Sequence, residues 1–522
     1  LKPLPYPDSE RLAGVWHTAP GIGIPQLEMS PSLYFTYREE NRTFTDIGVW
    51  SGGAVSVTGL AEPERVQCLY FTDGILPVLG VQPFLGRTFT RKDDAPGSPD
   101  TVILTYGYWK RRFGGDPSVI GKRILMDAKA RNVIGVLPQD FRFLDHKAEL
   151  ILPFQFDRNK IYLGNFSYDG VARLKPGITL AQANADVARM LPIAMEKFPP
   201  PPGFSRRMFE DARIGPSVHP LKQDAVGDVG NVLWVLMGTI GIVLLIACAN
   251  VANLLLVRAE ARQQELAIRA ALGAGWTRVA RDLLLESLLL GVAGGALGLG
   301  LAYASLRFLI ALGPTTIPRL HNISIDPLVL GFTLVISLFA GLLFGFIPVF
   351  KYAAPQMTAL RSGGRTLSHS RERHRARNAL VVVQVALALI LLISSGLMIR
   401  TLQALRQVRP GFTRPDEVQT LRIAIPEAEV KNPERVVRME QDILQKIAAI
   451  PGVSAAGFAN SVPMDHNNSN DVLFVEDRTY AEGKIPPIRR FKFVAPGFFK
   501  TLGNPLIAGR DLTWTDIYEE RP

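Results

Sequence analysis

Cysteine is nearly absent from this chain, which contains only two in 522 residues. Cys68 lies in a mixed polar stretch and Cys248 in a long apolar run, so the two cannot pair and a disulfide framework is excluded. Histidine is also scarce, with seven residues, and neither residue type has the spacing of zinc ligands. The sequence therefore predicts no metal site and no other cofactor.

Motifs for hydrolysis and for nucleotide binding are missing as well. The sequence has neither the Gly-x-Ser-x-Gly turn of serine hydrolases nor the His-Glu-x-x-His helix of metalloproteases. The segment most similar to a phosphate-binding loop, residues 115–123, has one residue too many between its glycines, and Arg123 replaces the Mg²⁺-binding hydroxyl. The adjacent Asp93 and Asp94 are interpreted as a solvated turn. The chain is therefore not expected to be an enzyme.

Four long runs without charge stand out instead. Each reaches the roughly 20 residues that a helix needs to cross about 30 Å of hydrocarbon at 1.5 Å per residue. One such run could be a buried core helix, but four are more than a soluble core would hold. The sequence thus predicts an α-helical transmembrane bundle, with spans over 232–257, 283–311, 327–351 and 378–400.

Small residues recur inside these spans at the spacing that allows helices to approach closely in lipid. The pairs are Gly291/Gly295, Gly294/Gly298 and Gly341/Gly345.

Three polar residues also lie inside the spans: Asn250, Asn253 and Gln384. Polar residues within a membrane can mark a functional site, and they can also serve as hydrogen-bonding contacts between helices. We favour the second interpretation. Glu286 lies near the end of its span and can reach the membrane surface, so its charge need not be buried.

Charge gives the direction of the spans. The formal net charge is +11, and nine of these charges come from two short stretches between spans. Residues 258–281 contain five Arg and two Glu, and residues 351–377 contain seven Lys or Arg and one Glu. Basic loops mark the cytoplasmic side. This distribution places residues 1–228 and 401–522 outside the cytoplasm and leaves little positive charge for binding nucleic acid.

The first basic loop has features of its own. Glu265 and Arg269 are four residues apart in the favourable order for a helical ion pair, next to a strip of small apolar residues. Such a segment could lie on anionic lipid as an amphipathic helix. It could equally dock onto a partner protein in the cytoplasm.

The two outer regions have mixed α/β patterns and share an internal repeat. Strands are predicted at 54–58 and 131–136, and helices at 180–197 and 439–450. Leu79-Gly80, five residues and Gly86-Arg87 recur as Leu502-Gly503, five residues and Gly509-Arg510, at an offset of 423. The repeat predicts two related extracytoplasmic domains, the second one truncated. An equivalent of the fourth span would precede residue 1, so we expect this sequence to be part of a longer chain.

Several motifs in the chain resemble those of the MacB/FtsX-type ABC transporter permeases, and of the duplicated acidobacterial permeases in particular. In the first outer region these are PLPYPD at 3–8, LTYGYW at 104–109, RFGGDP at 112–117, VIGK at 119–122 and VIGVLP at 133–138. The most specific is RQQELAIRAALGA at 262–274, which is similar to the cytoplasmic segment that follows the second helix in this family.

The resemblance implies a multi-pass protein of the cell inner membrane with two MacB-type periplasmic core domains. It implies that 258–281 is a segment that couples to a cytoplasmic ABC ATPase, and it suggests a periplasmic or outer-membrane export partner. The residues expected to contact the ATPase are Arg262, Glu265, Ile268, Arg269, Leu272 and Gly273. The predicted organisation is a core domain at 1–228, three helices at 229–352, a basic linker at 353–377, a helix at 378–400 and a second core domain at 401–522.

The function implied is that of a permease subunit in an ATP-driven export or mechanotransmission system. Two alternatives are a membrane-anchored periplasmic sensor or enzyme without an ATPase, and a non-functional permease fragment.

Overall fold

The chain is divided into two compact units. The computed structural model describes residues 3–60, 62–144, 146–227, 229–261, 276–312, 325–352, 368–408, 411–425, 430, 432–465, 469–475, 477–480 and 485–519. One unit comprises Leu1–Gly227 with Arg409–Pro522, and the other comprises Asp228–Val408. The first contains both outer regions and the second contains the long apolar helices.

An eleven-stranded mixed sheet is the framework of residues 1–227. Its strands lie in the order β11-β1-β10-β3-β4-β9-β6-β8-β5, with β2 paired to β1, and β7 paired to β3 and β8. Two neighbouring pairs, β4 with β9 and β6 with β8, are parallel. The strands are β1 (Leu12–Ala19), β2 (Ile24–Leu27), β3 (Phe44–Thr58), β4 (Glu64–Phe71), β5 (Leu85–Gly86), β6 (Thr101–Leu104), β7 (Arg123–Met126), β8 (Lys129–Val136), β9 (Leu150–Pro153), β10 (Asp169–Leu174) and β11 (Gly215–Pro220).

Six helices accompany this sheet: α1 (Pro31–Glu40), α2 (Ile75–Leu79), α3 (Tyr106–Phe113), α4 (Leu180–Lys197), α5 (Arg206–Asp211) and α6 (Leu221–Val226). The predicted helix at 180–197 is confirmed, and it begins where Thr179 and Gln182 form a capping box. The predicted strands at 54–58 and 131–136 fall within β3 and β8. Helices α1 and α4 pack on each other and share a core with the sheet that includes Tyr34, Tyr37 and Met190.

The second unit consists of long apolar helices: α7 (Val229–Ala261), α8 (Trp276–Leu312), α9 (Pro327–Tyr352) and α10 (Ser368–Gln407). Within the described residues, Leu233–Leu255, Ala280–Ala311 and Val381–Gln407 are long and apolar enough to cross a membrane. In α9 the apolar stretch that the structure describes is shorter, Pro327–Leu343. Helices at all four predicted positions are therefore present, while the number of spans stays a prediction.

The second outer region contains α11 (Pro433–Ala448), β12 (Asn470–Val472), β13 (Ile488–Arg490), α12 (Phe498–Leu502) and α13 (Trp514–Tyr518). The helix predicted at 439–450 is present and begins six residues earlier than expected. Asn432 caps it by accepting a hydrogen bond from the Glu434 N–H at 2.9 Å, and Pro433 occupies the first helical position. Strands β12 and β13 form a separate antiparallel pair.

The internal repeat is also a repeat of backbone structure. Helix α2 ends at Gly80 with φ 70°, and α12 ends at Gly503 with φ 69°, where the left-handed region favours glycine. The Val81 N–H donates to the Leu76 carbonyl at 3.0 Å, and the Asn504 N–H donates to the Phe499 carbonyl at 2.8 Å. Corresponding residues in the two segments, such as Val81 and Asn504, are separated by the same 423 positions as the sequence repeat.

Side-chain contacts follow the same offset. Arg87 donates two hydrogen bonds to the Asp93 carboxylate, at 2.6 and 2.9 Å, and Arg510 donates two to Asp516, at 2.5 and 2.8 Å. Each carboxylate also accepts the N–H and the hydroxyl of a threonine three residues before it, Thr90 or Thr513. The two segments thus build the same small motif.

Candidate functional site: the membrane helices and their ends

The predicted coupling segment, residues 258–281, overlaps the last residues of one long helix and the first residues of the next. Helix α7 ends at Ala261 and α8 begins at Trp276. The six residues expected to contact an ATPase lie between them, in 262–275, outside the described residues. They are Arg262, Glu265, Ile268, Arg269, Leu272 and Gly273, and their role stays a prediction.

An ion pair joins the two helices next to this segment. Arg258 Nη1 of α7 lies 2.6 Å from Glu286 Oε1 of α8. Each of the two residues borders an uncharged run, because Arg258 is the first charge after 232–257 and Glu286 is the last before 287–306. These positions at the borders of two consecutive uncharged runs are a sequence signal from which the pair could have been predicted. The pair connects α7, three residues before its end, to α8, ten residues after its start.

Small residues bring α8 and α9 into backbone contact. A Cβ atom added at Gly291 would lie 2.7 Å from the Ser337 carbonyl oxygen, and one at Gly341 would lie 3.0 Å from that of Ser287. A Cβ atom at Gly295 would lie 2.2 Å from the Ser337 hydroxyl. The predicted role of these three glycines is therefore confirmed, since any larger side chain would separate the helices.

Glycines on another face of α8 behave differently. A Cβ atom added at Gly294 or Gly298 meets nothing within 4 Å in the described part of the chain. The close helix contact predicted for this pair is therefore wrong for the residues that the structure describes. Sequence spacing identifies which positions are small, but it does not tell which of two small faces meets the neighbouring helix.

The three intramembrane polar residues lie on α7 and α10, which contact each other. Asn250 is exposed in the isolated chain. The Oδ1 atom of Asn253 and the Nε2 atom of Gln384 are buried and have no hydrogen-bond partner among the described residues. Cys248 of α7, a free thiol, packs with Ala252 and with Ala340 of α9. The hydrogen-bonding role predicted for these residues stays a prediction.

Several carboxylates are buried or half-buried in the first outer region, and Asp93 and Asp94 are among them. The interpretation of these two residues as a solvated turn is therefore wrong. Both are part of the folded interior. Although burial acts against ionisation, the hydrogen bonds from Arg87 and Thr90 prevail and lower the pKa of Asp93 to about 2. Burial raises the pKa of Asp94 to about 6, and its carboxylate accepts the N–H groups of Gln155 and Asp73 at 2.8 and 3.2 Å.

These carboxylates have structural partners. Arg38 donates to both oxygens of Asp73, at 2.5 and 2.7 Å, and so ties α1 to the turn before α2. The sequence could not reveal this contact, because Arg38 and Asp73 lie 35 residues apart. Among the described residues no group of three or more His, Cys, Asp or Glu side chains could hold a metal ion.

Two family models match the chain. The model of the MacB-like periplasmic core domain matches residues 6–190, and that of the FtsX-like permease C-terminal domain matches residues 237–357. The first match covers most of the eleven-stranded sheet, and the second covers α8, α9 and most of α7.

Two curated proteins are similar to part of the chain. The chain is 26% identical over 274 residues to the macrolide export ATP-binding/permease protein MacB of Chromobacterium violaceum, which is 52% of this chain and 39% of that protein. It is 26% identical over 283 residues to the uncharacterized ABC transporter permease YknZ of Bacillus subtilis, which is 54% of this chain and 66% of that protein. The chain therefore matches less than two thirds of the length of either relative.

Among solved structures, the periplasmic region of MacB from Actinobacillus actinomycetemcomitans is similar to part of the chain. The alignment covers 42% of this chain and 94% of that chain, with 14% sequence identity and a TM-score of 0.30.

Proposed function

Because this chain is a MacB/FtsX-type ABC transporter permease, we propose that it couples ATP hydrolysis by a separate cytoplasmic ABC ATPase to shape changes in its periplasmic domains. The observation that carries the proposal is the order of parts along the chain. The MacB-like core at 6–190 is followed by α6 and α7, and α7 leads into the FtsX-like region at 237–357. A periplasmic domain and a membrane bundle joined in this way can exchange motion without a wide solute pore.

The proposed topology places 1–228 and 401–522 in the periplasm, with 229–352 and 378–400 in the inner membrane. The basic segments 258–281 and 353–377 then lie in the cytoplasm. Their charge supports this arrangement. The contacts repeated at an offset of 423 support a second, related domain in 401–522.

In the proposed mechanism the ATPase acts on 262–275 and moves α7 and α8 together. The Arg258–Glu286 ion pair would hold α7 and α8 at a fixed separation where it joins them. The backbone contact at Gly291 and Gly341 would make α9 follow α8. Motion would then pass along α7 to the periplasmic core. The shape change would then drive export of a substrate through a periplasmic or outer-membrane partner. The related MacB protein is named a macrolide exporter, which supports a transport step of this kind.

The test is co-purification of the tagged chain with its ATPase. Replacing Glu265 and Arg269 by Ala should abolish ATPase recovery, because the ion-pairing surface of the coupling segment is removed. A matched control is Glu372→Ala with Arg373→Ala, which removes the same two charges from the basic linker. Full recovery of the ATPase, with unchanged coupled ATP hydrolysis, in the Glu265/Arg269 variant would refute the proposal.

A further inference from the structure

The last part of the periplasmic core before the membrane is a short connection. Strand β11 runs directly into α6, which ends at Val226, and α7 begins at Val229. Leu221, the first residue of α6, is buried in the core beneath the sheet. Helix α6 is therefore the last element held by the periplasmic sheet before the chain enters its first membrane helix.

One carboxylate attaches α6 to two strands. Asp224 Oδ1 lies 2.5 Å from His219 Nε2 of β11, and Asp224 Oδ2 accepts a hydrogen bond from the Trp16 indole of β1 at 3.3 Å. The rings of Trp16 and His219 stack with centroids 6.4 Å apart and an interplanar angle of 20°. Both partners of the ion pair are mostly buried, with side-chain exposures of 17% and 16%.

The backbone of β1 is adapted to this contact. Gly14 pairs with His219 in the sheet, and a Cβ atom added at Gly14 would lie 2.1 Å from Asp224 Oδ2. Any other residue at this position would displace the carboxylate. The space for Asp224 thus depends on a glycine in the middle of a strand, where glycine otherwise weakens the sheet.

Strand β11, which carries His219, is also held by a contact that does not involve Asp224. Asn184 of α4 donates to the Val218 carbonyl at 2.9 Å and accepts the Val218 N–H at 2.8 Å. Strand β11 is thus attached to α4 as well as to β1. If the Asp224 contact opens, α6 loses its side-chain attachment to β1 and β11 and keeps the packing of Leu221 in the core.

The surrounding charges make this contact sensitive to protons. The Asp224 carboxylate raises the pKa of His219 above its usual value of about 6.5. Asp169 of β10 also lies close to Asp224, and burial, together with the charges of Glu28 and Asp224, raises the pKa of Asp169 to about 7. The stabilisation that His219 provides is present when it is protonated and is lost as pH rises through its raised pKa. Ionisation of Asp169 above about pH 7 adds a negative charge beside Asp224 and Glu28.

We propose that Asp224 is a positioning residue that latches α6 onto the periplasmic sheet, and that the latch opens when His219 loses its proton. This proposal rests on the proposed function, because the latch matters only if the connection to α7 carries motion. The latch then regulates how strongly the periplasmic domain is coupled to the membrane helices. The pH of the surrounding medium sets that coupling.

The test measures amide hydrogen exchange of the full chain in lipid nanodiscs at pH 6 and pH 9. The exchange rates are corrected for the intrinsic pH dependence of exchange to give the protection of each amide. The Gly227 amide donates to the Gln223 carbonyl at 2.8 Å at the end of α6, so its exchange reports on the fraying of α6 that loss of the Asp224 contact would allow. Protection of Gly227 should fall about tenfold at pH 9, as expected for the loss of one charge-assisted hydrogen bond at a partly exposed site.

Variants separate the latch from an ordinary structural contact. His219→Gln should give low protection at both pH values, and Asp224→Glu should restore part of the pH dependence that Asp224→Asn removes. Asp211→Asn, a change at an exposed acid of α5, is the control and should behave as the wild type. Equal protection of the wild type at both pH values, or an unchanged profile in His219→Gln, would overturn the latch. These measurements need no ATPase, so their failure is distinct from a failure of the coupling test on Glu265 and Arg269.

Discussion

At the scale of single residues, the paired Arg87–Asp93 and Arg510–Asp516 motifs show how a short turn can be stabilised without a large core. In each motif one carboxylate accepts four hydrogen bonds, two from an arginine and two from a threonine. Asp93 is only 7% exposed and Asp516 also 7%. Burial of an ionised group is costly unless its oxygens are fully bonded, and here they are.

The first prediction concerns Asp93. Asp93→Asn removes the charge and replaces an acceptor oxygen by a donor, so the periplasmic unit should lose about 2 kcal/mol. That corresponds to a decrease in Tm of roughly 4–8 °C for a unit of this size. The pKa of Asp93 is lowered to about 2, so its contribution is complete above about pH 4 and is lost as pH falls through about 2.

Thermal melting of the detergent-solubilised chain at pH 7 and at pH 2 measures both effects. The difference between wild type and variant should be present at pH 7 and much smaller at pH 2. Asp211→Asn is a suitable control. An Asp93→Asn chain that melts at the wild-type temperature at pH 7 would contradict the prediction.

At the scale of secondary structure, α8 and α9 form the tightest helix pair that the structure describes. Their backbones touch at Gly291 and Gly341 because neither residue has a side chain. In lipid, where apolar side chains gain little from leaving the solvent, such contact is a principal source of helix association.

A matched pair of substitutions tests this contact. Gly291→Val places a side chain against the Ser337 carbonyl and should destabilise the bundle by about 1–3 kcal/mol, the usual cost of overpacking. Gly294→Val adds the same atoms at a position that meets nothing within 4 Å in the described chain, so a change within about 0.5 kcal/mol is expected. Unfolding of the purified bundle in a detergent series measures both. Equal losses in the two variants would show that the contact does not hold the helices together.

Helices and strands whose signals lie within their own segment were predicted well from the sequence. Contacts between residues that are distant in the sequence were not. Helix α4 was found at 180–197 because its cap and its apolar spacing lie within the segment itself. The solvated turn predicted at Asp93 and Asp94 was wrong because Asp94 is held by the backbone of Gln155, 61 residues away. The Arg258–Glu286 pair was missed for the same reason, since its two charges lie on different helices.

At the scale of the whole molecule, the distribution of charge leads to a prediction of topology. Maleimide that cannot cross the membrane should label Lys92→Cys and Lys500→Cys in intact spheroplasts, since both positions are exposed on the outer regions. Ser362→Cys in the basic linker should be labelled only after lysis. The wild-type chain is the control, because Cys68 and Cys248 are buried. Labelling of Ser362→Cys in intact spheroplasts would reverse the proposed orientation.

The repeated motif also bears on how such a chain is made. Every hydrogen bond of the arginine–carboxylate turn joins residues at most six positions apart, in residues 87–93 and again in 510–516. Contacts of such short sequence separation form early, because little chain entropy is lost in closing them. Each turn can therefore take its native form locally, and the first can do so before the later strands of its sheet have been synthesised. A segment of about seven residues thus carries all the information for this motif, twice in the same chain.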